Sequence, residues 1–322
     1  MTIPTSNRHF LLLGAGFSRN WGGWLASEAD EYLLGHPDID KQIRDILWHC
    51  RRKGGFEAAL AKLQQDDPEG ERIVRLQRAL INMFRDMDKA FAAINFNFNS
   101  MSKTSISNFL TRFDAIFTLN QDLLIERHYL QTDDVALQSS GRWSGYILPG
   151  LVKNGTGLDT WGDIGIWEPS GTDYAFKKNV QPYFKLHGSA NWQTSDTNQL
   201  LVMGGNKSGI ISKSPVLQKY HSDFTSLLSK GDSRLMVIGY SFGDDHINRS
   251  ITEAITNGNL KTFIIDPLGT DVFDKNRNAA VYSPDKLAVD LWPSLIGASR
   301  RSLREIFGTD RVEYEKVLRF FD

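Results

Sequence analysis

Five short runs of apolar, β-branched or aromatic residues punctuate the chain, at positions 10–13, 115–119, 183–186, 235–238 and 262–265. Unbroken apolar runs of this length suit strands covered on both faces, so they predict a parallel sheet with helices on either side. Each run leads directly into a polar or glycine-rich signature, in the order GAGFS, NQD, HGS, GYSFG and DP. Ligands of open α/β sheets bind beyond the carboxyl ends of the strands, so the five signatures are expected to converge.

The stretches between these runs differ in texture. Positions 24–110 predict helices, with Ile73, Leu76, Leu80 and Phe84 following the three-to-four-residue period of an amphipathic helix. Positions 131–181 are rich in Gly, Trp, Thr and Asp and predict a loop-rich insertion with short hairpins. The tail predicts two short helices, at 302–307 and 312–321. The expected organisation is one domain over 1–290 carrying both insertions, followed by C-terminal helices over 291–322. Neither an internal repeat nor a low-complexity tract interrupts it.

With 322 residues, of which 41% are hydrophobic, the chain can bury a sizeable core. Its net charge of −1 supplies no overall field to collect nucleic acid or an anionic membrane, so direct nucleic-acid binding is not expected. Any anion site must be local. The single cysteine, Cys50, excludes an internal disulfide and a four-cysteine zinc cluster. The first residues lack a basic segment before a long apolar run, and the run at 10–13 is far shorter than the ~20 residues that span a bilayer. A cytoplasmic protein is expected.

Gly14, Ala15, Gly16 and Ser18 follow the first predicted strand. Glycines there admit a pyrophosphate close to the backbone at a helix start, or simply make a tight turn; Arg19 stands where a third fingerprint glycine would fall. Asn120 and Asp122 place an amide and a carboxylate at the end of the second strand. They suit a water, a ribose hydroxyl or a carboxamide, and equally a helix cap. His187 precedes Gly188 and Ser189, where an imidazole tunable near neutrality serves as a base or as a structural residue.

Gly239 and Ser241 repeat the strand-turn-helix arrangement and can meet phosphate or ribose. Literally, GYSFG matches a serine-hydrolase elbow, but the only later histidine, His246, lies five residues on in the same predicted helix. Asp244, Asp245 and His246 are adjacent, which suits helix capping better than chelation, so no metal site is assigned. Asp266 closes the fifth strand, where acidic residues of dinucleotide folds accept from a ribose diol. A Gly-Lys-Ser/Thr phosphate loop is absent from the sequence.

Taken in order, GAG-x-S, T-x-N-x-D, K-L-H-G, G-x-S and an apolar strand ending in Asp266 resemble the sirtuins. They resemble more closely the sirtuin-like NADase domains of bacterial antiphage defence. The resemblance implies a Rossmann-like α/β fold and NAD+ as substrate, hydrolysed to nicotinamide and ADP-ribose so that cellular NAD is depleted in abortive infection. It implies Asn120 and His187 as the catalytic pair, with Asp122 on the nicotinamide carboxamide and Ser18 near the nicotinamide ribose. Gly14, Ala15 and Gly16 would line the pyrophosphate, Gly239 and Ser241 the phosphate and adenosine side, and Asp266 the adenosine ribose. It also implies a homo-oligomer gated by assembly or by a partner such as a HerA-like ATPase or an Argonaute-like protein.

Two departures bear on the substrate. Deacylating sirtuins follow GAG-x-S with Gly-Ile-Pro-x-Phe-Arg and carry a zinc ribbon; this chain reads NWGGWLASEADEY and has one cysteine. Water is therefore the expected nucleophile and no zinc is expected. The alternatives are an NAD-dependent deacylase or ADP-ribosyl transferase, and a non-catalytic NAD or ADP-ribose sensor.

Overall fold

A computed structural model of the chain describes residues 8–68, 70–98, 104–130, 137, 140–154, 161–172, 174–194, 199–205, 207–278 and 283–322. Of the predicted loop-rich insertion, residues 131–136, 138–139, 155–160 and 173 lie outside them.

Eleven strands are present among the described residues: β1 (Arg8–Leu13), β2 (Ala115–Thr118), β3 (Gly145–Ile147), β4 (Leu151–Asn154), β5 (Ile166–Pro169), β6 (Val180–Lys185), β7 (Gly188–Gln193), β8 (Gln199–Leu201), β9 (Ser233–Ile238), β10 (Lys261–Ile265) and β11 (Leu295–Ser299). Seven of them form one parallel sheet in the order β11-β10-β9-β1-β2-β6-β3. All five predicted strands lie in it. The other four, β4-β5-β7-β8, make a small sheet whose β4 and β5 pair antiparallel inside the loop-rich insertion.

β1 is the centre of the large sheet, and Phe10, Leu11, Leu12 and Leu13 are each fully buried. Leu13 pairs with Thr118 on one side and with Ile238 on the other, so β1, β2 and β9 end level with one another. From β1 the chain passes to β2 and later returns to β9 on the opposite side. That reversal opens a crevice at the carboxyl ends of β1 and β9, the usual ligand position of such sheets. The fold is a Rossmann-like α/β fold with a helical and a loop-rich insertion.

The short α1 (Ala15–Arg19) follows β1, and five further helices fill the way to β2: α2 (Ala26–Gly35), α3 (Lys41–Cys50), α4 (Gly55–Asp66), α5 (Glu71–Phe91) and α6 (Ile106–Leu110). The α5 stripe of Ile73, Leu76, Leu80 and Phe84 is buried as its period predicts. Each such side chain taken from water contributes roughly 1.5–3 kcal/mol. After β2 comes α7 (Leu124–His128), whose Arg127 forks onto the Asp88 carboxylate of α5 at 2.8 and 2.6 Å. The paired bonds fix the angle at which the helical insertion meets the sheet.

Further helices among the described residues are α8 (Lys207–Lys213), α9 (Pro215–Leu228), α10 (Asp245–Gly258), α11 (Lys286–Leu291), α12 (Leu303–Gly308) and α13 (Arg311–Leu318). α12 is capped by the Ser302 hydroxyl with Glu305 reaching back, the reciprocal pattern of a capping box.

The tail differs from its predicted form of helices alone, because β11 is an edge strand of the main sheet. Its sequence, LIGAS, has too little apolar bulk to announce a strand. A Cβ on Gly297 would stand 2.5 Å from the Phe263 ring of β10, so the strand packs through its missing side chain. Among the described residues, no helix is long and apolar enough to cross a membrane.

Candidate active site

Two glycine turns meet at the crevice. Gly14 N–H donates to Ile238 O at 3.0 Å and Gly16 N–H to Gly239 O at 2.9 Å. Gly239 has φ +62, in the left-handed region that favours glycine. A Cβ there would come within 2.4 Å of the Gly16 carbonyl carbon, and one on Gly14 within 2.5 Å of Gly239 O. These glycines are therefore demanded by the contact of the two turns, quite apart from any ligand. The turns also use donors that a phosphate would need, since Phe17 N–H donates to Gly14 O at 2.9 Å.

A cavity of about 860 Å³ opens above these turns, at the large end of the range for ligand sites. Gly14, Ala15, Gly16, Asn120, Asp122, His187, Gly239, Ser241 and Asp266 all face it. Ser18 is instead buried behind Asn120, whose side-chain amide donates to its hydroxyl at 3.0 Å. The Ser18 hydroxyl in turn hydrogen-bonds the Asp122 carboxylate. The chain Asn120 to Ser18 to Asp122 thus joins the end of β2 to α1.

Asp122 is fixed from below as well. Its Oδ1 accepts from Leu124 N–H at 3.1 Å, as a capping aspartate does. Fully buried Lys185, the lysine of K-L-H-G, donates to Asp122 O at 2.5 Å and to Glu126 Oε1 at 2.6 Å. Burial pushes the Asp122 carboxyl above its ordinary pKa, and the Lys185 ammonium opposes that shift. One loop therefore supports both a cap and a wall of the cavity.

His187 lies at the turn from β6 to β7. Gln121 holds that turn from the neighbouring loop, its amide donating to Val202 O at 2.9 Å and to His187 O at 3.3 Å. The His187 ring meets the His246 ring at Nε2···Nε2 3.1 Å. His221 of α9 packs beside His246 and contacts Leu186 O through Nε2 at 2.9 Å. Burial, with Lys207 and the two other imidazoles close by, drives His187 well below its ordinary pKa. His187 is neutral near pH 7, as a base must be.

Lys207 of α8 donates to Asp244 Oδ1 at 2.7 Å and pairs with Glu57 of α4 at 2.9 Å. One ligand-type atom from each of His187, Asp244 and His246 lies within 4.8 Å of the others, a spacing compatible with chelation. The Lys207 ammonium, however, already sits on the only carboxylate of the three. A cation there opposes a second one, so the cluster is arranged as an ion pair beside a neutral histidine pair.

At the far end of the cavity Ser241 is exposed. Asp266 Oδ1 accepts from Leu268 N–H at 2.9 Å, so part of its acceptor capacity serves its own turn. Arg301, Ser302 and Arg304 close this end from the C-terminal segment. The helical insertion adds a mainly apolar wall, with Trp24, Phe56, Met83, Phe84 and Met87 and with Glu57 among them. The motifs did not mark these wall residues or Lys207, because they stand away from the strand-end signatures in sequence, all but Trp24 on helices.

A family model described as SIR2-like domain matches residues 114–283, more than half of the chain. The chain belongs to the SIR2-like domain family. No curated protein matches it. The family match takes in Asn120, Asp122, His187, Gly239, Ser241 and Asp266, and begins after the first glycine turn. Geometry ties that turn to the SIR2-like site, through the Asn120 bond to Ser18 and the packing of Gly14 and Gly16 on Gly239.

Proposed function

We propose that this SIR2-like chain is an NAD+ glycohydrolase that cleaves the nicotinamide–ribose bond with water, giving nicotinamide and ADP-ribose. The observation that carries the proposal is that Asn120 and neutral His187 face one cavity at the carboxyl edge of the sheet. SIR2-like domains act on NAD+. A positively charged nicotinamide departs without needing to be protonated, so the site needs acceptors and a base more than an acid. The transition state at the anomeric carbon resembles an oxocarbenium ion, as in other glycoside cleavages.

On this reading Asn120 orients the water and the ribose, held by Ser18 from behind, while His187 takes the proton that the water loses. Asp122 accepts from the nicotinamide carboxamide. The apolar wall excludes bulk water, which strengthens these polar contacts. Ser241 and Asp266 face the adenosine end, and the glycine turns run beneath the pyrophosphate. The chemistry asks for no zinc.

Unrestrained NAD+ cleavage drains a cell, which fits a role in antiphage defence by abortive infection, in the cytoplasm, in a homo-oligomer gated by assembly or by a partner such as a HerA-like ATPase or an Argonaute-like protein. The test is nicotinamide release from NAD+ by the purified chain, alone and with its neighbouring gene products. Asn120→Ala and His187→Ala are expected to abolish release while leaving the circular dichroism unchanged. Full turnover by His187→Ala removes the base from the mechanism, and labelling of an acyl peptide or protein in place of hydrolysis replaces water as acceptor.

A further inference from the structure

His187 cannot keep a proton where it stands. It is buried, Lys207, His246 and His221 all oppose its charge, and the Asp244 carboxylate, within 4.8 Å, is already held by the Lys207 ammonium. Its ring contact, His246 Nε2 at 3.1 Å, is of hydrogen-bonding length, and two neutral imidazoles make such a contact only when one ring nitrogen donates and the other accepts. The two rings therefore share one proton. His246 stands differently: its burial, at the first turn of α10, is only partial and still lowers its pKa, but Asp244 and Asp245 both favour its charged form. Opposing them are burial, Lys207 of α8 and Arg249 of its own helix, while His221 of α9 packs against its ring. Lys207 is itself neutralised by Glu57 of α4 and by Asp244.

Resting on the NAD+-cleavage reading, we propose that His246 is the proton-accepting partner of His187, a positioning residue that holds the shared proton and takes the positive charge off the cavity-lining ring. With the shared proton on His187 Nε2, its Nδ1 is the basic nitrogen. As the water oxygen bonds to the anomeric carbon, the C–N bond breaks and its electron pair returns to the nicotinamide ring. The water proton goes to His187 Nδ1, and the shared proton crosses from His187 Nε2 to His246 Nε2. The product is a neutral His187 and an imidazolium at His246, which lies beside two carboxylates and releases its proton to solvent. The helix-cap reading of Asp244, Asp245 and His246 leaves this histidine without a role in the chemistry.

The experiment uses the full chain under conditions where wild type releases nicotinamide, comparing wild type with His246→Gln, His246→Ala, Asp245→Asn and Lys207→Met, and with His187→Ala as reference. His246→Gln keeps a polar group against His187 and is expected to lower kcat about 100-fold, the range of a general-base contribution, with KM for NAD+ little changed. The acid limb of the pH profile is expected to move to lower pH in Asp245→Asn, which loses an anion near His246. It is expected to move to higher pH in Lys207→Met, which loses a cation. A wild-type kcat and an unmoved acid limb in His246→Gln, beside an inactive His187→Ala, overturn the relay and leave NAD+ cleavage standing. Absence of nicotinamide release by wild type under every condition overturns both. Activity lost to a chelator and restored by zinc alone overturns the relay too, since the histidines would then be ligands.

Discussion

Asn120 donates its side-chain amide to the hydroxyl of Ser18 at 3.0 Å, joining the turn after β2 to the helix after β1. The bond spans 102 positions of sequence, and it decides which way the amide of Asn120 presents itself to the cavity. With Nδ2 committed to Ser18, the carbonyl oxygen of the amide is left to accept from a water or a ribose hydroxyl. Ser18 thus acts through Asn120 and stays off the cavity wall.

The two residues are accordingly expected to fail differently. Asn120→Ala removes the group that meets the substrate in the proposed mechanism and is expected to abolish nicotinamide release. Ser18→Ala leaves the amide in place but frees it to rotate, and kcat is expected to fall by about 10- to 100-fold, the scale of a small misplacement of a reacting group. Steady-state kinetics on both variants checks this; equal losses would show that Ser18 itself meets the substrate.

Gly239 is expected to tolerate no side chain. Its φ of +62 costs an L-residue about 1–2 kcal/mol, and its Cβ would overlap the Gly16 backbone at 2.4 Å. Gly239→Ala is therefore expected to lose more than about 2 kcal/mol of stability, or to fold poorly. Gly231→Ala is the control, because a Cβ there meets nothing within 4 Å. Urea unfolding midpoints compare the two; equal midpoints would mean that the two turns separate at little cost.

The parallel sheet was legible because its strands are continuous apolar runs, and the convergence of GAGFS, NQD, HGS, GYSFG and DP followed from the strand-end rule. What stayed hidden has physical causes. β11 packs through Gly297 and Ala298 and so lacks the apolar bulk of a strand. Gln121 stands in a recognised signature, yet its work is to hold the His187 turn through backbone carbonyls, which no residue pattern records. His246 was assigned to helix capping because its partner, His187, is 59 residues away in sequence. Separation in sequence hides Lys207 too, which joins α4 to the start of α10.

Zinc dependence is expected to be absent from the active enzyme. The sequence has one cysteine, and the one cluster of three possible ligands among the described residues holds the Lys207 ammonium on its carboxylate. Elemental analysis of active protein, together with NAD+ cleavage after prolonged chelation, tests this. Stoichiometric zinc lost together with activity would contradict it.

Acid is expected to destabilise the fold through its buried histidines, most measurably through His221. Burial lowers the pKa of its ring from 6.5 to about 4, against the pull of the Leu186 carbonyl. Between those values the unfolded chain binds a proton that the folded chain refuses, so stability falls as pH drops below 6.5 and the loss is complete below about 4. At about pH 5 this one group costs about 2 kcal/mol relative to neutral pH. His187 and His246 are lowered in the same direction and steepen the slope. His221→Gln retains a donor for Leu186 O and has nothing to protonate. Its unfolding midpoint is therefore expected to fall less than that of wild type between neutral pH and about pH 5. Parallel pH dependences in the two proteins would place the acid-sensitive group elsewhere than His221.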